Sequence, residues 1–218
     1  MVSKGRLAGF IDAIIAVVMT IMLLEFELPK TGGIIEFLRD NLVYLIAYLL
    51  SFIYVTTSWF NQQYMLQQAE NISRRIYHSC MLWVLSLSML PVLSAWAGRT
   101  IDFFHDFGLH SPKAPALLFI MMIYLWGFAY TYMTKCFIED NPKEKAELIA
   151  QMEVYHYLRH PFWKIGMIVS FILTFIYLPF VFIYTAGEMI FATVRSQNKK
   201  AQRFKLSFFI LLTNSQLF

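Results

Sequence analysis

Charge is scarce in this 218-residue chain, where Asp, Glu, Lys and Arg together make up 15%, against about 25% in an ordinary soluble domain. That shortage excludes a water-soluble globular protein, and a 58% hydrophobic content with a mean hydropathy of +0.55 points the same way. Cysteine is scarcer still. Cys80 and Cys136 lie within or beside apolar stretches without CxxC spacing, which excludes a disulfide framework and a cysteine metal site and leaves them as packing residues. The alternating segments of roughly ten residues that build an outer-membrane barrel are missing. So are HExxH, GxSxG, GxxxxGK and paired carboxylates within one apolar stretch. No enzyme, catalytic residue, metal site or cofactor is expected. Groove-binding motifs and basic–aromatic interleaving are also missing, so no nucleic-acid partner is expected.

What the chain has is long apolar runs, enriched by 21 Phe, 12 Tyr and 5 Trp. Runs of about twenty residues suit helices that cross a bilayer, and they fall near residues 7–28, 41–62, 79–98 and 114–136. The stretch 161–194 is long enough to cross twice, with Leu178-Pro179 breaking it into 161–178 and 180–194. The expected fold is all-α: a six-helix transmembrane domain over 1–194 and a basic tail over 195–218. Fourteen of the eighteen Lys and Arg then share one side, with Lys30, Arg39, Arg99 and Lys113 opposite. Basic residues are retained on the cytoplasmic face, so both termini are expected in the cytoplasm of a multi-pass protein of the cell membrane. The first run ends in Glu25-Phe26-Glu27-Leu28-Pro29 rather than in small residues, so cleavage as a signal peptide is not expected.

Between 137 and 160 a cytoplasmic segment opens with Asn141-Pro142-Lys143-Glu144, a helix start with Asn as cap and Pro at the first position. Leu148, Met152, Tyr155 and Leu158 follow at helical spacing, an amphipathic stripe suited to packing on the bundle or lying at the interface. The tail ends in Leu-Ser-Phe-Phe-Ile-Leu-Leu and further residues, too short to span.

Asp12 stands within the first apolar run, where an acid is costly and marks a functional or assembly site. Antiparallel neighbours bring equal depths together, so Ser58, Trp59, Asn61, Gln62 and Gln63 at the end of helix 2, with His78, Ser79 and Trp83 at the start of helix 3, can satisfy it. At 100° per residue Asp12 lies about 140° from Val17. Asp12 with Ile15, Met19 and Leu23 suits packing on helices 2 and 3. Phe10, Ala13, Val17, Thr20, Ile21 and Leu24 form another face, which either packs on a further helix or lines a pore with a neck spanning about 10 Å from Val17 to Leu24. Arg6 projects onto that second face.

Arg6-x-x-x-Phe10-Ile11-Asp12 resembles the Arg-x-x-x-Phe-Ser-Asp mark of the endolysosomal potassium-channel family of transmembrane protein 175 and its prokaryotic relatives, with Ile11 in place of Ser. Met19 to Glu25, the Trp59-x-Asn61-Gln62 close of helix 2, and Trp83 with Pro91 extend the resemblance over about the first hundred residues. It implies a single-repeat homotetramer in the lipid bilayer that conducts potassium ions, with helix 1 around a central pore. The constriction would fall on Val17, Ile21 and Leu24, with Thr20 as the hydroxyl-bearing position, and Arg6, Phe10, Asp12, Asn61 and Trp83 as motif and supporting network. No Thr-Val-Gly-Tyr-Gly filter loop is implied, and none occurs.

The alternative is a proton-coupled or secondary transporter working through Asp12 and Glu188, the second acid within an apolar run. A non-conducting assembly protein is a third reading. His156 and His160 have the spacing of a zinc pair but no third ligand nearby, and read as interfacial residues. His105 and His110, beside Asp102 and Asp106, read as solvated residues of an external loop, in a position to sense protons.

Overall fold

The computed structural model describes residues 3–24, 26–28, 32–102 and 113–190. The expected tail, the end of the sixth span, and His105, His110 and Asp106 lie outside the described residues. Nine helices follow in order: α1 (Lys4–Leu24), α2 (Ile34–Gln68), α3 (Arg74–Ser88), α4 (Leu90–Thr100), α5 (Ala114–Glu139), α6 (Lys143–Ala150), α7 (Glu153–Arg159), α8 (Pro161–Ile176) and α9 (Phe180–Ile190), counted among the described residues. The described residues contain no strand. Four helical stretches are long and apolar enough to cross a membrane: α1, α2, the pair α3–α4, and α5. The chain is a multi-pass helical membrane protein. Beyond these, α8 and α9 are shorter apolar helices on either side of Leu178-Pro179.

Proline writes several of these boundaries. Pro91, Pro115 and Pro161 sit in the first turns of α4, α5 and α8, where a missing N–H costs nothing. Pro91 also cannot donate to Leu87 and crowds its carbonyl, so the third span breaks at Met89 into α3 and α4. Ser73 starts α3 as a cap, its Oγ accepting from the Ile76 N–H at 3.1 Å.

Around α5 the bundle gathers α3, α4, α6, α7 and α8, while α2 packs on α4 and α1 packs on α2, α3 and α4. Trp83, Tyr130, Phe119, Phe137 and Phe182 are the largest fully buried side chains. The α2–α4 crossing is close because small residues meet there. Ser51 and Ser94 share a hydroxyl hydrogen bond of 2.6 Å, and a Cβ on Gly98 would stand 2.9 Å from the Tyr44 Cα. Without a hydrophobic drive between helices in lipid, such close approach is a main source of packing energy.

One end of the bundle is basic. Lys4 reaches the end of α2, and Arg75 at the start of α3 pairs with Glu139 at 2.9 Å, at the end of α5. At the opposite end a cavity of about 650 Å³ is lined by residues including Asn41, Asp102 and Tyr177, and its arginines are paired, Arg99 with Glu27 and Arg39 with Asp40.

The segment after α5 differs from the sequence expectation in two ways. Asn141 does not cap α6, whose N-cap is Pro142. Its side chain instead accepts from the backbone N–H of Glu70 (2.8 Å) and Asn71 (3.0 Å), and donates to the Phe137 carbonyl, holding the α2–α3 link on the end of α5. The single amphipathic helix is two, divided at Gln151-Met152. That break changes the register, so Ala146, Ile149, Met152, Tyr155 and Leu158 are the buried stripe and Leu148 is exposed.

Candidate pore helix and its anchors

Helix α1 is 21 residues long, about 30 Å, and has three distinct sides. Leu7, Ile11, Ile15, Val18 and Met22 form the strip buried against α2, α3 and α4. Asp12 lies at the edge of that strip, about 100° from its centre. The remaining side carries Ala13, Val17, Thr20, Ile21 and Leu24, all exposed, with Val17 at 54%, Ile21 at 42% and Leu24 at 82%. Compared with the helical wheel, the packed strip is rotated: it runs through Ile11 and Val18 rather than through Asp12 and Leu23, and Leu23 is exposed. Arg6 and Phe10 are exposed at the basic end. The Thr20 Oγ bonds back to the carbonyls of Val17 (2.9 Å) and Ala16 (3.1 Å), which satisfies its proton and leaves its oxygen lone pairs open outward.

Polar bonds tie α1 to α2 at three heights. At the basic end the Lys4 ammonium donates to the Ala69 carbonyl (2.9 Å) and the Gln67 carbonyl (3.0 Å), at the negative end of the α2 dipole. In the middle, Asp12 Oδ1 accepts from Trp59 Nε1 at 2.7 Å and from Gln63 Nε2 at 2.5 Å. Near the other end the Tyr44 hydroxyl donates to the Met22 carbonyl. Beyond α1, Asn41 both donates to the Glu27 carbonyl and accepts from the Glu27 N–H, each at 2.9 Å. The middle tie follows from helical spacing: Trp59 and Gln63 are one turn apart on one face, whereas Asn61, two residues on, points about 200° away from Trp59. Asn61 is half-buried and has no bond to Asp12.

Trp83 turns to Ser58 rather than to Asp12. The Ser58 Oγ accepts from Trp83 Nε1 at 3.2 Å and from Trp126 Nε1 at 2.7 Å, so one buried oxygen joins α2, α3 and α5. Both of its lone pairs are used by indoles that are themselves buried, Trp83 and Trp126. Ser58→Ala would leave two buried donors unsatisfied, and a loss of about 1–3 kcal/mol is expected. Thermal unfolding in detergent measures it; an unchanged midpoint would mean that the indoles find other acceptors.

Glu188 has one partner a helical turn away and another that spacing alone does not reveal. Its Oε1 accepts from the Tyr184 hydroxyl at 2.7 Å and from the Tyr157 hydroxyl at 3.2 Å. Burial, and then the adjacent Glu188 carboxylate, push the Tyr157 phenol well above its ordinary value, so it remains a proton donor. His160 is occupied as the cap of α8, its Nδ1 accepting from the Phe162 N–H at 3.2 Å, and His156 is exposed. Among the described residues no three His, Cys, Asp or Glu side chains converge as a metal site. Cys80 and Cys136 are both buried free thiols.

Membrane-length helices around a first helix that is anchored through an acid on one side and open on another define a polytopic membrane protein with a candidate pore helix. Residues 6–91, which contain most of α1, the Asp12 anchor and Ser58, match the family described as endosomal/lysosomal potassium channel TMEM175. Over those residues the chain is similar to that family. It is also similar to a protein of Chryseobacterium sp. (strain P1-3) named as a potassium channel: 26% identical over 184 residues, 83% of this chain and 90% of that protein. No solved structure matches.

Proposed function

We propose that the chain is one subunit of a potassium-preferring cation channel, assembled as a homotetramer in the cell membrane with both termini cytoplasmic and α1 lining a central pore. Val17, Ile21 and Leu24 form a hydrophobic constriction, Thr20 presents its hydroxyl oxygen to the permeating ion, and no Thr-Val-Gly-Tyr-Gly filter takes part. The observation that carries this reading is the outward side of α1: an apolar face left open in the single chain, on a helix fixed at three heights. The match of residues 6–91 to a potassium-channel family and the similarity to a protein named as a potassium channel support it. Hydrophobic necks gate by losing and regaining water, and the anchors hold α1 firmly enough to keep such a neck at a fixed width. Asp12 is structural here, its charge compensated by two donors on the side away from the ions.

Purified protein in liposomes should pass potassium in preference to sodium, driven by the ion gradient alone. Flux that saturates with concentration and requires a proton gradient would support instead a transporter using Asp12 and Glu188. No flux would support a non-conducting assembly protein.

A further inference from the structure

Glu188 takes no part in the α1 anchors, yet it sits at the junction of three elements. Its Oε1 is shared by Tyr184, one turn earlier on α9, and Tyr157 from α7, and the Trp163 side chain of α8 lies beside the same carboxyl. Among the described residues the titratable groups that face it are phenols: Tyr54 on α2, Tyr124 on α5, Tyr157 on α7 and Tyr184 on its own helix. Among the described residues no Lys, Arg or His acts on it. We propose that Glu188 is a proton-binding site whose ionisation controls how tightly α7 is held against α9.

Two opposed effects act on this carboxyl. Apolar surroundings favour the neutral acid, whereas several neutral donors favour the carboxylate. A salt-bridged acid would stay charged and a donor-free buried acid would stay neutral. Among the described residues Glu188 has donors without a counter-charge, so neither form is locked. As a carboxylate it accepts charge-assisted bonds, which are about twice as strong as neutral ones. A proton taken up on Oε2 leaves Oε1 as an ordinary carbonyl acceptor. The Tyr157 bond is the longer of the two phenol bonds and the one that reaches across to α7, so it weakens most. Alkaline conditions hold the α7 corner and acid loosens it.

The test uses the full chain in nanodiscs, with infrared difference spectra over pH steps and hydrogen exchange at the α7 amides. On acidification the wild type should gain a protonated-carboxyl band and lose α7 protection at the same midpoint. Glu188→Gln should lack that band and show α7 exchange without that step. Tyr184→Phe, which keeps the carboxyl but removes a donor to its charged form, should raise the midpoint by about one pH unit or more. The proposal fails if the wild type shows no such band, if Glu188→Gln keeps it, if Tyr184→Phe leaves the midpoint in place, or if the α7 step persists in Glu188→Gln. None of these readouts involves ion flux, so they stand whether or not the channel reading does.

Discussion

Ile21→Asn is expected to raise potassium conductance by roughly 5- to 30-fold, with Val17→Asn and Leu24→Asn acting in the same direction. A neck of apolar side chains excludes water, and an amide that hydrogen-bonds water lowers the cost of filling it by about 1–2 kcal/mol, a factor of roughly 5–30 in population. The expectation is specific to the outward side of α1. Val17, Ile21 and Leu24 are exposed, so a polar replacement there leaves the packed core of the subunit intact. The same change at Ile15, which is buried, would damage the subunit and open no pore. Single-channel conductance in a planar bilayer is the readout. Wild-type conductance in all three variants would remove the constriction from this face.

Ile11→Ser, which restores the residue found in the family motif that this chain resembles, should lower stability by about 2–5 kcal/mol. From the motif alone, Ile11 looks like a lost hydroxyl in the Asp12 network. In the structure Ile11 is 0% exposed and belongs to the apolar cluster with Leu7, Ile15, Val18 and Trp83. Asp12 already has two donors from α2. Serine at this position would leave a cavity costing about 2–5 kcal/mol, as large-to-small core changes do, and bury a hydroxyl in addition. The thermal midpoint in detergent should fall well below that of the wild type. A midpoint equal to or above the wild type would mean that a hydroxyl at this position finds a polar partner.

Features that depend on hydrophobicity and local chemistry were legible in the sequence. Four long apolar helices, the division at Leu178-Pro179 and the abundance of aromatics follow from run lengths and proline. Trp59 and Gln63 were among several polar residues at the right depth for Asp12, because antiparallel helices match depth. Depth does not fix rotation. Which of Trp59, Asn61, Gln63 and Trp83 meets Asp12 depends on the angle of α2 and α3, and Trp83 finds Ser58.

Long-range ties were not legible. Lys4 bonds to carbonyls more than sixty residues away, and Asn141 to amides seventy residues away, each satisfying a helix end or link that the local sequence leaves open. Asn-Pro at 141–142 has the pattern of a helix cap, yet the α2–α3 link competes for the same side chain and wins it. In the same way, one apolar stripe from Leu148 to Leu158 became two helices because the turn at Gln151-Met152 lets each half bury its own face. Glu188 announced itself by depth, but its tyrosine on α7 lies thirty-one residues earlier.

The central claim is that α1 lines a pore shared by identical subunits, and the most direct measurement is the subunit count by native mass in nanodiscs. The account predicts a complex of four 25.6 kDa chains, with Val17, Ile21 and Leu24 turned to a common axis. A monomer, or a closed dimer with no larger species, would leave α1 with no ring to line and would contradict it.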